Sequence, residues 1–303
     1  MSNIYSQVDS NKNKSTLIIV LFIVFIVGAT YVMAQGFGYD LSIVGYALIF
    51  SGVTSFFSYY FSDKIILSIS GAHEATREKY FDFYTVTENL CLNQQMKMPK
   101  LYVIEDTAMN AFATGRDPNH AVICATTGIL SRLNRTELEG VIAHELSHVK
   151  NYDIRLMSLV TVMVGMIALL ADWMLRMAAW GGGRRSRDNE GGQLQTVFFI
   201  VGLILALLSP LIAQLIQLAI SRRREFLADA SGVAITKYPE GLASALEKIS
   251  ADREPLEAAN KATAHLYISN PLKNIQGNRS WFAGLFDTHP PVEERLKALR
   301  SLK

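Results

Sequence analysis

The sequence predicts a mainly α membrane protein in which four apolar helices carry a small α+β unit. Two observations predict it. Half of the 303 residues are apolar and the mean hydropathy is +0.20, which is high for a soluble domain. The excess is gathered into four stretches, residues 17–34, 41–61, 156–177 and 197–220, each near the ~20 residues that a helix needs to cross a hydrocarbon core. What remains has an ordinary polar mixture and is long enough for one modest core. The expected organisation is therefore a tail and first transmembrane hairpin at 1–61, a polar part at 62–155, a second hairpin at 156–220, and a second polar part at 221–303. The two polar parts together form one split unit.

Taken in order, residues 1–14 are polar and are expected to be disordered, with Lys12 and Lys14 just ahead of the first apolar stretch. The loop at 35–40 carries no Lys or Arg, so the positive-inside rule puts the N-terminus in the cytoplasm and two crossings return the chain there. Val32 and Ala34 resemble a signal-peptide cleavage pattern. The stretch is longer than a usual signal core and another follows at once, so an uncleaved anchor is the better reading. Residues 63–95 lack proline and read as a largely helical connection. Short runs at 101–104, 110–114 and 121–125, with a turn at 115–119, predict a small sheet. Asn134 followed by Glu137 is a capping signal, and Leu138, Ile142, Leu146 and Val149 recur at helical spacing. That helix is expected to end at 151–153. The loop at 181–192 is rich in Gly and contains Arg184, Arg185 and Arg187, which argues on charge against its translocation. Arg222, Arg223 and Arg224 follow the fourth apolar stretch, as a headgroup anchor would.

A net charge of +2 with no long basic run gives no footprint for nucleic acid. Two cysteines, Cys91 and Cys124, are too few for a disulfide framework and fit a reducing compartment.

The chemistry is concentrated in the run HELSH at 144–148. His144 and His148 stand i and i+4 on one helix, so both imidazoles leave one face and can share an ion, with Glu145 beside them. In the H-E-x-x-H arrangement two histidines bind zinc and the glutamate activates a water. A catalytic zinc takes three protein ligands and leaves a fourth position open. Glu225, in the run SRRREFLADA, is a candidate third ligand, and Asp229 one turn later can serve a ligand histidine as its hydrogen-bonding partner. Ala228 and Ala230 would let this segment approach the HELSH helix closely. On its residues alone Glu225 stays a candidate, since helical carboxylates usually face solvent.

HELSH with Asn151 and Asp153, the EFLAD run, Asn110 to Ala113, and Thr288-His289-Pro290-Pro291 with Arg295 together resemble the HtpX-type membrane metallopeptidases, relatives of the CAAX prenyl protease. The resemblance runs over nearly the whole chain. It implies a gluzincin-like metallopeptidase domain facing the cytoplasm at the bacterial inner membrane. One Zn²⁺ per chain would sit on His144, His148 and Glu225, with Glu145 as general base and Asp229 behind the ligands. The implied substrates are damaged or misassembled membrane proteins. It also implies that Asn110, Ala111, Phe112, Ala113 and Arg295 line the substrate side, and that His289 stabilises the developing oxyanion. If 110–113 is an exposed edge strand, an extended substrate would pair with it.

Plainer roles stand beside these: Asn110 can shape a strand end, and His289 can cap a helix over 292–302. His73, His120 and His265 have no partner at ligand spacing, and Asp172 fits a far-interface position beside Trp173 and Arg176. Two other classes compete with this reading. An intramembrane protease is excluded by the charged residues flanking HELSH, from Arg135 to Glu139 and from Lys150 to Asp153. A non-catalytic zinc scaffold is disfavoured because Glu145 is present.

Overall fold

In the computed structural model the described residues are 4–37, 40–180, 200, 222–257, 263, 266–269 and 290–302. Helices α1 (Ile4–Phe37) and α2 (Ser42–Ile69) pack together as a hairpin. Its inner side is written in α2, where the small residues Ala47, Ser51, Thr54, Ser55, Ser58 and Ser62 are buried at helical spacing; such residues let helices approach closely inside a bilayer. The outer sides expose Leu17, Leu21, Val24, Leu48, Ile49, Val53, Phe56 and Phe57. An apolar surface of that length suits lipid and is foreign to a water-facing protein.

Among the described residues these are two helices long and apolar enough to cross a membrane, where four had been expected over the whole chain. The third stretch lies within α6 (Asp153–Trp180), and its first turns are buried in protein: Leu156, Leu159, Val160 and Met163 are all below 4% exposed. An apolar run reads the same whether it faces core or lipid, so composition does not show that these first turns pack on protein. The fourth stretch and the 181–192 loop lie outside the described residues, except Ile200. Nor is the N-terminal segment disordered from residue 4 on. α1 begins at Ile4, and Asn11 and Ser15 are buried against the rest of the protein.

The expected helical connection over 63–95 is interrupted. α2 ends at Ile69, a two-residue strand β1 (His73–Glu74) follows, and α3 (Phe81–Asn93) resumes. A strand this short has no alternation to read. β2 (Lys100–Ile104), β3 (Ala111–Gly115) and β4 (Ala121–Thr126) then complete a sheet of order β1-β2-β4-β3. β2 and β4 are parallel, while β1 and β3 run antiparallel to their neighbours, with Leu101 opposite Ile123 and Phe112 opposite Cys124. Gly115 takes φ +135°, open to glycine, and Asp117 accepts from the amides of Asn119 and His120 to close the turn between β3 and β4.

The sheet is buried on both faces. Leu101, Val103, Ala111, Ala113, Ile123 and Ala125 face the core shared with α3 and α5 (Arg135–Lys150). The alternate residues Ile104, Phe112, Val122 and Cys124 pack on α2 and α6 with Leu266 and Tyr267. A short α4 (Thr127–Arg132) links β4 to α5. Beyond the undescribed segment, α7 (Arg222–Thr236) and α8 (Pro239–Ala251) pack on α5, and α9 (Val292–Arg300) closes over both.

Candidate metal centre

α5 begins with the capping box expected from its sequence: Asn134 accepts from the Glu137 amide at 2.9 Å, and Glu137 accepts from the Asn134 amide at 2.9 Å. Glu137 then ties this end to α8 by accepting from Lys248 and Ser244. Two turns further along, α5 carries His144, Glu145 and His148, all buried. α7 crosses α5 here. Ala228 is buried at the crossing while Ala230 is exposed, so the second small residue of the close approach is Gly232: a Cβ there would lie 3.1 Å from the His144 amide nitrogen. The sequence reading named Ala230 for this role and missed Gly232.

The crossing brings Glu225, in the first turn of α7, against both histidines. Its carboxylate oxygens lie 3.8 Å from His144 Nε2 and 3.6 Å from His148 Nε2, and the two Nε2 atoms are 3.2 Å apart. Donors at ~2.0–2.1 Å from a tetrahedral ion are separated by about 3.4 Å, so the three groups have the spacing of a zinc ligand set.

The ring protons give an independent test. His148 Nδ1 lies 3.0 Å from Asp153 Oδ2, and His144 Nδ1 lies 2.9 Å from Asp229 Oδ1. The latter is an ion-pair distance with the N–H off line for a full hydrogen bond. Carboxylates at both Nδ1 atoms hold the protons there and leave lone pairs on both Nε2 atoms. Two lone pairs and a carboxylate facing one another in a buried site require a cation. The surroundings favour positive charge here: burial lowers the His148 pKa, but the Asp153 hydrogen bond and the charges of Glu225, Asp153 and Glu145 outweigh it and raise it to about 9.

The outer residues are themselves held. Arg295 donates to Asp229 through Nε at 2.9 Å and Nη2 at 2.6 Å, and its Nη1 lies 3.7 Å from Glu225. Burial works to raise the Asp229 carboxyl, yet the Arg295 charge and the contacts from His144 and Arg295 bring it below its usual value. Arg295 is 1% exposed. The structure thus places it behind the histidines, a correction to its expected place on the substrate side. Asp153 accepts from Asn11 Nδ2 at 2.7 Å and faces Arg224 at 3.3 Å. Sequence reading quoted Asp153 without giving it this role, and it missed Asn11 altogether; no local pattern joins residue 11 to residue 153.

β3 is the sheet's edge strand, but Ala111, Phe112 and Ala113 are buried, so the exposure on which pairing with an extended substrate was conditional is not met. The Ala111 carbonyl accepts from Ile268, and the Asn110 side chain both donates to and accepts from the Ser269 backbone. At the other end the Gly115 amide donates to Ser158 of α6. Asn110 therefore shapes the strand end, and the first rung open to a partner strand is already taken. His289 lies outside the described residues. The N-cap of α9 is Pro291, without a side-chain bond. His73 is near Glu105, and His120 bonds Asp117 at the surface. His265 falls outside the described residues, as does the Asp172 side chain.

Residues 82–303 match peptidase family M48. A protease HtpX homolog from Dictyoglomus turgidum is 43% identical over 300 residues, covering 98% of this chain and 94% of that one. A homolog of the same description from Caldanaerobacter subterraneus is 43% identical over 99% of this chain and 98% of its own. A crystal structure of S. mikatae Ste24p is similar with a TM-score of 0.48 and 18% identity, over 94% of this chain and 65% of that chain. With a family match over most of its length and relatives of this identity from end to end, the chain belongs to peptidase family M48, among the HtpX-type membrane metalloproteases.

Proposed function

We propose that this chain is a gluzincin-type zinc endopeptidase that cuts peptide bonds in damaged or misassembled membrane proteins, with its active site on the cytoplasmic side of the bacterial inner membrane. The observation that carries this reading is the buried convergence of His144 Nε2, His148 Nε2 and the Glu225 carboxylate at 3.2–3.8 Å, with Glu145 on the same turn of α5. His144, His148 and Glu225 would hold a zinc ion, which would supply a Lewis acid for the scissile carbonyl and bring the pKa of its water to about 7. Glu145 takes the proton from the attacking water and returns it to the leaving amine. Asp229 and Asp153 keep both imidazoles in the tautomer that offers Nε2, and Arg295 holds Asp229 in place. His289 is assigned to the developing oxyanion. Four crossings, with residues 156–220 as the second hairpin, complete the topology.

The test uses full-length protein in detergent, with an unfolded protein as substrate, and measures bound metal and cleavage together. One zinc per chain with chelator-sensitive cleavage is the expected result. Zinc binding with no cleavage of any unfolded substrate, equal in wild type and Glu145→Gln, would instead leave a metal-binding scaffold.

A further inference from the structure

Away from the metal, a cavity of about 400 Å³ opens between the end of α2 and the sheet. Its walls combine the aromatic side chains Phe56 and Tyr60 of α2 with four cations, Lys64, Lys97, Lys100 and Arg116. One carboxylate, Asp63, shares the lining, and Arg116 also faces Asp117 at 3.6 Å. The net charge of the cavity is positive, and the catalytic reading uses none of these groups.

Its position supplies the rest of the argument. From Ser42 to Tyr60, α2 rises about 27 Å, close to the ~30 Å of a hydrocarbon core. The first charged residues of α2 are Asp63 and Lys64, so the span leaves the bilayer at Tyr59 to Phe61. Cations are stacked on aromatic rings at this end of the hairpin: Arg116 lies 5.3 Å from Tyr60, Arg155 4.9 Å from Tyr59, Lys64 5.4 Å from Phe61 and Lys12 4.6 Å from Tyr152. Such a belt marks the headgroup level. Lys97 is steered by its bond to the Asn119 carbonyl at 3.1 Å. The cavity therefore meets the headgroup layer with cations and the acyl region with exposed Phe56.

We infer that this cavity binds an anionic phospholipid, its phosphate among Lys64, Lys97, Lys100 and Arg116 and its acyl chain along Phe56 and Tyr60. The inference rests on α2 crossing the membrane and is independent of the peptidase chemistry. A lipid held here joins the first hairpin to the sheet that packs on α5, and so fixes the depth of the catalytic unit beneath the bilayer.

The experiment takes the delipidated full chain in a neutral detergent and titrates it with phosphatidylglycerol, phosphatidylcholine or inorganic phosphate. Bound lipid is counted by native mass spectrometry, and the thermal midpoint is followed for all three. Phosphatidylglycerol should bind saturably at one per chain, at least tenfold tighter than the other two, and weaken as salt rises. The exposed Lys64→Gln, Lys97→Gln and Lys100→Gln changes together should weaken it about 100-fold, at roughly fivefold per lysine. Asp63→Asn should tighten it. Zinc content should not change in any variant, so a failure here is distinct from a failure of the peptidase reading. Unchanged phosphatidylglycerol binding in the triple variant would overturn the proposal. Equal binding of phosphatidylcholine would remove charge recognition, and equal binding of phosphate would make this a site for free anions.

Discussion

Glu145, the ligand Glu225 and the outer residues Asp153 and Asn11 separate by what their loss should do. Glu145→Gln keeps the shape of the side chain and should leave zinc near one per chain while lowering kcat by about 10² to 10⁴ or more; metal analysis beside single-turnover cleavage checks both halves. Glu225→Ala should lose the metal. Asp153→Ala should weaken zinc affinity by about 10- to 100-fold, since Asp153 sets the tautomer of His148. Asn11→Ala should do the same more weakly, because Asn11 holds the other oxygen of Asp153 and the Asn151 carbonyl at 2.8 Å. A competitive chelator titration orders the series, and wild-type affinity in the Asp153 variant would break the chain of support proposed here. The ligands were legible because helical spacing alone puts His144 and His148 on one face. Asn11 was not, since its partner lies across the whole first hairpin in sequence, and Arg295 was put on the substrate side by resemblance alone, because its partner Asp229 lies 66 residues away.

At the scale of elements, α5 carries the site and depends on its N-terminal fastening. Burial acts to raise the Glu137 carboxyl, but the hydrogen bonds from Lys248, Ser244 and the Asn134 amide together lower it below the ordinary glutamate value. A folded pKa below the unfolded one contributes stability that is fully present above about pH 4.5 and is lost as pH falls through the folded value. Lys248→Met should remove part of that stability at neutral pH and less of it in acid, so the gap between the two unfolding curves should narrow as pH falls; a constant gap would assign the loss to packing. Gly232→Val tests the crossing. The added branches meet the α5 backbone beside His144, so α7 must lift and carry Glu225 from the histidines, and zinc affinity should fall by more than the overall stability suggests. Element by element, the three strands and α5 with its cap were legible from short apolar or β-branched runs, the turn residues that bound them, helical spacing and the Asn134–Glu137 pair. β1 was not, being too short to show a period, and neither was the burial of β3, which depends on Ile268 and α6 arriving from distant sequence.

For the whole molecule the constraint is that both halves of the ligand set meet. His144 and His148 precede residues 156–220 and Glu225 follows them, yet the three side chains converge within 4.8 Å. Whatever path the intervening residues take must leave and return on one side of the bilayer. The first hairpin ends on that same side. Asn11 near the start of α1 bonds Asp153, and α2 runs directly into the sheet. We propose that this shared side is the cytoplasm, because Lys12 and Lys14 stand beside the first span and the loop at 35–40 is free of Lys and Arg, the pattern the positive-inside rule favours. Convergence of the ligands allows two crossings or none: Arg184, Arg185 and Arg187 favour keeping the 181–192 loop inside, whereas the apolar lengths of 156–177 and 197–220 favour carrying it across. The native thiols will not confuse a labelling experiment: Cys91 and Cys124 are buried, and burial pushes the Cys91 thiol up to about 11 and Cys124 higher still. A cysteine introduced at Gly183 should therefore react with a membrane-impermeant maleimide in intact cells stripped of their outer membrane, and one at Lys150 only after permeabilisation. If both react only after permeabilisation, residues 156–220 do not cross, and the molecule is a catalytic unit hung from a single hairpin.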